Sequence, residues 1–335
     1  MTDNGRKKLI ILTGPTAAGK TALSIELAKS IGGQIISADS MQVYKGMDIG
    51  TAKITNEEMD GVRHHLIDIY DPDFAFNVSE FVKCAKKAIA DITTEGDIPV
   101  VAGGTAFYIQ ALLKDVDFSS DSASDEEFRM MAERAAVSLE EHAFNKFKKK
   151  YFKDIEAKDL YGILKSVDAD ACLTIHGNNT KKIIRALEYF VMTGEKISVH
   201  NRRESAKSSD YDFVYFVLSD DREKLYERIN ARVDKMLEAG LVDEVKGLMA
   251  RGYGADLVSM QGIGYKEIIE YLESGISYEH AVESIKQNTR HFAKRQLTWF
   301  RREKDVIWMD YSEFNYDRSK MLNKMLSILK EKNIL

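Results

Sequence analysis

The sequence predicts an α/β fold: a parallel sheet covered by helices, with a phosphate-binding loop after its first strand and a helical insertion farther along. Three observations predict it. Residues Gly14-Pro15-Thr16-Ala17-Ala18-Gly19-Lys20-Thr21 match G-x-x-x-x-G-K-[ST] directly after the apolar run Leu9-Ile10-Ile11-Leu12, so a strand feeds the loop and a helix leaves it. Short strand-like runs then alternate with helical stretches to about residue 115, the pattern of parallel strands with helical crossovers. From Asp125 to about Val199 the chain is helical in pattern, and Phe213 to Leu218 is again an uninterrupted apolar run of the kind a parallel sheet buries on both faces. The core is therefore read as P-loop NTPase-like.

Each element follows in order. The strand Leu9 to Leu12 leads into the loop, and Ala22, Leu23, Ile25, Leu27 and Ala28 continue as a helix stopped by Gly32-Gly33. Further strands are expected at Gln34 to Ala38, Leu66 to Ile69 and Pro99 to Ala102. A helix from Ser79 to Ile92, with Ser79 as its N-cap, buries Val82, Ala85, Ala88, Ile89 and Ile92. The polar stretches Asp115 to Ser122 and Asn201 to Asp210 flank the insertion. The expected organisation is thus a core of residues 1–115 and 205–335 and an insertion of residues 116–204. A long helix from about Tyr278 to Arg302 should turn Ile285, Phe292 and Trp299 to the core and gather Arg290, Lys294 and Arg301 on another face.

Composition narrows the classes. With 335 residues, 44% of them hydrophobic, the chain can bury a sizeable core, and only three prolines favour long helices. Cys84 and Cys172 lack any metal-ligand spacing and read as buried free thiols. No run approaches a membrane span, the polar start precedes too short an apolar stretch for a signal peptide, and a cytoplasmic protein is expected. The net charge of −5 does not exclude nucleic acid, because binding depends on patches. Two patches occur. Lys286, Arg290, Lys294, Arg295, Arg301 and Arg302 fall in a stretch without an acid, and Lys146 to Lys153 interleaves lysines with aromatics.

The loop predicts bound phosphate. Gly14 and Gly19 permit backbone conformations closed to other residues, Lys20 supplies a charge, the backbone N–H groups of the loop Gly14 to Thr21, which Pro15 alone lacks, converge on oxygens, and the Thr21 hydroxyl can ligate Mg²⁺. In open parallel sheets the ligand lies beyond the carboxyl ends of the strands. The residues placed there are Asp39, after the second strand, and Gly103-Gly104-Thr105, after the strand ending at Ala102. Asp39 could support a metal ion, act as a general base or cap a helix.

Several strings together resemble the tRNA dimethylallyltransferase (tRNA isopentenyltransferase) family, in its bacterial form. They are Gly14 to Thr21, the run Asp39-Ser40-Met41-Gln42-Val43-Tyr44-Lys45-Gly46-Met47-Asp48-Ile49-Gly50-Thr51-Ala52-Lys53, His64-His65-Leu66-Ile67-Asp68 and Gly103-Gly104-Thr105. Arg185-Ala186-Leu187-Glu188, Gly262-Ile263-Gly264-Tyr265-Lys266-Glu267 and Thr289 to Phe300 complete the set. The chain departs from the family where Gly177-Asn178-Asn179 replaces Pro-Asn-Asp and where Lys182 replaces an arginine, which keeps charge but loses the planar fork.

The resemblance implies transfer of a dimethylallyl group from dimethylallyl diphosphate to N6 of the adenosine 3′ of the anticodon in tRNA, with Mg²⁺. It implies Asp39 as general base, and Lys20, Thr21 and Arg228 acting on the diphosphate. Asp39, Ser40, Met41, Gln42, Thr105 and Arg129 would meet the tRNA, as would Gly262, Gly264, Tyr265 and Lys266. Lys181, Lys182 and Arg185 on the insertion, and Arg290, Lys294, Arg295 and Arg301 on the long helix, would hold the anticodon stem-loop. A monomer with no membrane partner is expected. The competing readings are a P-loop kinase of a nucleoside or small metabolite, an adenylate isopentenyltransferase, and a non-catalytic nucleic-acid-binding NTPase.

Overall fold

The structure is a computed structural model that describes residues 6–115 and 157–335. Arg129 and the basic cluster up to Lys153 lie outside the described residues. Two units divide the chain: residues 1–113 with 209–335, and residues 114–208.

The first unit holds six parallel strands in the order β3-β2-β4-β1-β5-β6. In chain order its first part runs β1 (Lys7–Thr13), α1 (Lys20–Ile31), β2 (Gly33–Ser37), α2 (Asn56–Met59), β3 (His64–His65), α3 (Val78–Glu95), β4 (Ile98–Gly103) and α4 (Ala106–Lys114). Leu9 to Leu12 are completely buried, as expected of a central strand covered on both faces. Registers such as Leu12 with Ala102 and Leu12 with Phe216 bring the carboxyl ends of β4, β1 and β5 level.

Two local expectations are corrected here. Leu66 to Ile69 is not a strand: β3 ends at His65 because Leu66 and Asp68 take φ values of 63° and 55°, in the left-handed region that breaks a ladder. The following N–H groups turn back to Gln42 and Val43 instead. Asn77, not Ser79, caps α3, its side chain accepting from the Glu80 N–H at 3.0 Å.

In the second unit, α5 (Ala157–Val167), α6 (Thr180–Thr193) and α7 (Ile197–Ala206) surround a separate core. Leu160, Leu164, Ile183 and Leu187 are its centre. Asn179 caps α6 by accepting from the Lys182 N–H at 3.2 Å, so Asn performs the capping that Asp would. Lys181, Lys182 and Arg185 are exposed on the first two turns of α6.

The first unit resumes with β5 (Tyr211–Ser219), α8 (Arg222–Glu238), α9 (Leu241–Ala250), α10 (Tyr265–Ser274), α11 (Tyr278–Phe300), β6 (Val306–Asp310) and α12 (Arg318–Glu331). The heptad reading of α11 is corrected. Its buried residues are Ala281, Ile285, Ala293, Gln296 and Phe300, while Phe292 is 36% exposed and the Trp299 indole N–H donates to Glu303 at 2.9 Å. A straight helix drifts by about 20° per heptad, so every seventh residue leaves the seam that Ile285 begins. Cys84 and Cys172 are free and half-buried. No helix among the described residues is long and apolar enough to cross a membrane.

Candidate active site

A cavity of about 530 Å³ opens at the carboxyl ends of β1, β2 and β4, lined by four cationic side chains, Lys20, Arg228, Arg232 and Lys235, and one carboxylate, Asp39. The phosphate loop forms its floor. Gly14 has φ 150°, and a Cβ there would lie 2.7 Å from the Leu218 carbonyl oxygen in β5. At Gly19, φ 77°, a Cβ would lie 2.6 Å from the Tyr311 hydroxyl. Only glycine fits either place. Lys20 Nζ donates to the carbonyls of Gly14 (3.0 Å) and Pro15 (2.8 Å). Burial, with the Arg232 charge adding to it and Asp39 opposing, pushes the lysine down to about 7. An anion placed among these groups would relieve their mutual repulsion.

Helix α8 supplies the cations. Arg228, Arg232 and Lys235 recur at spacings of four and three and so share one face. Arg228 Nε donates to the Ala17 carbonyl on the loop at 3.0 Å, and Nη2 pairs with Asp220 at 2.5 Å. Arg228 is thus tied to the loop and to a carboxylate that is itself out of solvent. Arg232 is half-buried, and its desolvation pushes its pKa down while Asp39 pulls the other way.

Gln296 joins the loop to the neighbouring strand end. Its Oε1 accepts the Thr16 N–H at 2.9 Å and its Nε2 donates to the Gly104 carbonyl at 2.8 Å. A Cβ on Gly104 would come within 2.4 Å of that Nε2, and one on Gly103 within 2.2 Å of the Ala38 carbonyl oxygen. These two glycines let β2, β4 and α11 close on one point.

Asp39 sits two residues beyond β2. Its Oδ1 accepts the N–H groups of Met41 (2.8 Å) and Gln42 (3.3 Å), a turn that fixes the carboxylate at the cavity wall, with no helix for it to cap. Gln42 also lines the cavity and donates toward the carbonyls of Thr51 and Ala52 at 3.4 and 3.3 Å. His64 lines it as well; its Nδ1 donates to the Val62 carbonyl at 2.9 Å, and burial lowers its pKa while that hydrogen bond opposes the shift. Ser40, Met41 and Thr105 are not part of the lining. Met41 packs on Gly262, where a Cβ would meet its Cε at 2.5 Å. The Thr105 N–H donates to the Ala38 carbonyl at 3.1 Å, which holds the start of α4.

The segment Asp48–Lys53 walls the cavity through Ala52, and Glu244 of α9 holds it. The Glu244 carboxylate accepts the N–H groups of Asp48 (2.9 Å), Ile49 (2.7 Å) and Gly50 (3.1 Å), and the Tyr265 hydroxyl at 2.6 Å. This corrects the expectation that Tyr265 contacts RNA: it is 1% exposed with its hydroxyl committed inside the fold. Lys266 lies 3.5 Å from Glu267, and Glu267 accepts the Gly264 N–H at 2.7 Å. The Gly262 to Glu267 motif therefore builds a helix start that supports the site from behind.

The long basic helix is also less free than its sequence suggests. Arg290 donates to Asn230 (2.8 Å) and pairs with Glu283 (2.7 Å), and Lys286 pairs with Asp234 (2.6 Å). Glu283, two turns before Arg290, and Asp234 on α8 thus neutralise two of the cations in a stretch that contains no acid of its own. Lys294, Arg295, Arg301 and Arg302 remain exposed. Sequence reasoning missed Arg232, Lys235, Gln296 and Asp220. The spacing of Arg228, Arg232 and Lys235 was a signal available for the first two; Gln296 and Asp220 carried none.

Among the described residues no cluster of three His, Cys, Asp or Glu side chains could hold a metal ion by itself. Thr21 and Asp39 line the same cavity. That donor set suits Mg²⁺, which usually takes one or two protein oxygens and completes its shell with substrate phosphates and water.

Known proteins resemble this chain over nearly its whole length. The chain is 55% identical over 327 residues, 98% of its length and 99% of the relative's, to a protein of Lachnoclostridium phytofermentans named tRNA dimethylallyltransferase. A solved tRNA isopentenylpyrophosphate transferase from Staphylococcus epidermidis superposes with a TM-score of 0.69 at 41% identity, covering 98% of this chain and 100% of that one. A eukaryotic dimethylallyltransferase, solved in a study of its action on tRNA, superposes with a TM-score of 0.74 at 30% identity, over 91% of this chain and 74% of that one. The family model described as IPP transferase matches residues 42–303, and with relatives this similar over nearly the whole length, the chain belongs to the IPP transferase family.

Proposed function

We propose that the protein transfers a dimethylallyl group from dimethylallyl diphosphate to N6 of the adenosine immediately 3′ of the anticodon in tRNA, releasing diphosphate. The observation that carries this reading is a cavity in which a phosphate loop and four cations face one carboxylate. Charge of one sign suits a leaving diphosphate; a lone carboxylate suits a proton acceptor.

The chemistry follows from the residues. The C1–O bond of the donor breaks, its electrons going to the diphosphate, where Lys20, Arg228, Arg232 and the loop N–H groups stabilise the growing charge. The N6 lone pair forms the new bond to C1. Adenine N6 is a weak nucleophile because its lone pair is delocalised into the ring, and Asp39 takes the proton that N6 must lose. A Mg²⁺ ion held by Thr21 and the diphosphate would supply further charge neutralisation. The target base has to leave the stacked loop to enter a cavity of this size, and Gln42 and Ser37 stand beside Asp39 to hold its edge. The exposed cations Lys294 and Arg295 on α11, Arg301 at its C-cap, and Lys181, Lys182 and Arg185 on α6 are read as phosphate contacts for the anticodon stem-loop. The enzyme is read as a monomer working in the cytoplasm, where its acceptor is.

Purified protein incubated with dimethylallyl diphosphate, Mg²⁺ and unmodified tRNA should yield N6-(dimethylallyl)adenosine by nucleoside mass spectrometry. Phosphoryl transfer from γ-labelled ATP to a nucleoside, with no alkylated tRNA, would replace this reading with a kinase.

A further inference from the structure

The Arg228 guanidinium reaches the phosphate loop from a helix 211 residues away in sequence, and a long flexible side chain on a helix does not keep one direction without support. We propose that Asp220 is the positioning residue that aims Arg228 at the loop, itself braced by Tyr316 from the turn after the last strand. The inference rests on reading Arg228 as a diphosphate ligand.

Three observations carry it. The Asp220 side chain is fully buried and does not line the cavity, yet its Oδ2 lies 2.5 Å from Arg228 Nη2. Neither atom makes a hydrogen bond elsewhere among the described residues. A buried carboxylate whose one oxygen is reserved for one arginine costs desolvation and returns a fixed direction. Second, Asp220 follows β5 immediately, two residues beyond the Leu218 that packs under Gly14, so its position is tied to the loop it serves. Third, Asp220 Oδ1 is itself fixed by the Asp221 N–H at 2.7 Å and the Tyr316 hydroxyl at 3.0 Å.

Tyr316 reaches that carboxylate from a strained turn. Asn315 and Tyr316 have φ of 52° and 60°, and two consecutive non-glycine residues in the left-handed region persist only where the surroundings over-determine them. The surroundings do so: the Tyr316 ring stacks with Tyr311 at 6.4 Å, and Lys224 Nζ sits 3.8 Å above it. Tyr311 in turn lies against Gly19. The turn after β6 is thereby connected to the phosphate loop along two routes, through Tyr311 directly and through Tyr316, Asp220 and Arg228.

The test is a double-mutant cycle on the full-length protein read by calorimetric binding of inorganic pyrophosphate, which needs neither tRNA nor prenyl transfer. Asp220→Asn and Arg228→Lys should each weaken pyrophosphate about tenfold, and the double variant also about tenfold, because both changes remove the same aimed guanidinium. A hundredfold loss in the double variant would mean independent roles and overturn the proposal. Tyr316→Phe, a surface change that deletes one hydroxyl, covers the case in which Asp220→Asn does not fold. It should weaken pyrophosphate by a few fold in the wild-type background and not at all beside Arg228→Lys; no effect in the first background, or an equal effect in both, would overturn the brace. If Arg228→Lys binds pyrophosphate like the wild type, the reading of Arg228 fails and the proposal with it. If only Asp220→Asn and Tyr316→Phe are silent, the ligand role of Arg228 stands and its proposed support falls.

Discussion

Replacing Gln296 with Leu should open the phosphate loop without touching a phosphate ligand. The side chain is 5% exposed and makes two bonds, from the Thr16 N–H and to the Gly104 carbonyl, at 2.9 and 2.8 Å. Leucine fills nearly the same space but satisfies neither group. A buried donor or acceptor left unpaired costs about 1–3 kcal/mol, so the two together cost roughly 2–6 kcal/mol in the closed loop. The loop escapes this by moving toward water, which disperses the N–H groups it aims at an anion. If only about 1.4 kcal/mol of the penalty is expressed in donor binding, donor affinity falls about tenfold. Urea unfolding followed by fluorescence, beside steady-state KM for dimethylallyl diphosphate at saturating tRNA, separates the two effects. Gln296→Glu sharpens the test: it keeps an acceptor for Thr16, loses the donor for Gly104 and adds charge, so donor KM should rise again. A Gln296→Leu protein within about 0.5 kcal/mol of the wild type and with unchanged donor KM would refute the clamp.

Lys20 stands at about 7 in the donor-free site, and a bound diphosphate favours its charged form. Donor affinity should therefore be full below pH 7 and fall by up to about tenfold per unit as pH rises above it, a limb that Lys20→Arg, always protonated, should lack in donor titrations. Asp39→Asn keeps the shape of the turn but cannot take the N6 proton; single-turnover rates should drop about 10²- to 10⁴-fold with donor and tRNA still bound, and a near-normal rate would deny Asp39 the role of base. Neutralising Lys294, Arg295 and Arg301 together should weaken tRNA and flatten the salt dependence, each lost phosphate contact removing roughly 0.7–0.9 from the log–log slope. Arg290→Gln, by contrast, should change that slope little, because Glu283 and Asn230 already hold the guanidinium.

The sequence by itself determined the phosphate loop, the strand before it and the helix after it, because that geometry is local: glycines at fixed offsets, an apolar run and a helix former's run. It also determined that Asp39 and Gly103-Gly104-Thr105 stand at the sheet's rim, since parallel strands present whatever follows them at one edge. Tertiary structure decided the rest of the site. Gln296 meets Thr16 across 280 residues, and no periodicity in α11 distinguishes it from a surface glutamine. Tyr265, expected at the tRNA from its motif, is buried with its hydroxyl on Glu244. Arg290 and Lys286 read as a free basic face, yet Glu283 and Asp234 cancel them in space. Leu66 has the residue type of a strand and the φ of a turn. Local backbone preference depends on neighbours a few residues away and is legible in order along the chain. Charge cancellation, burial and hydrogen-bond commitment depend on which distant groups the packed sheet and helices bring within a few ångströms, and they exist only once the chain has folded.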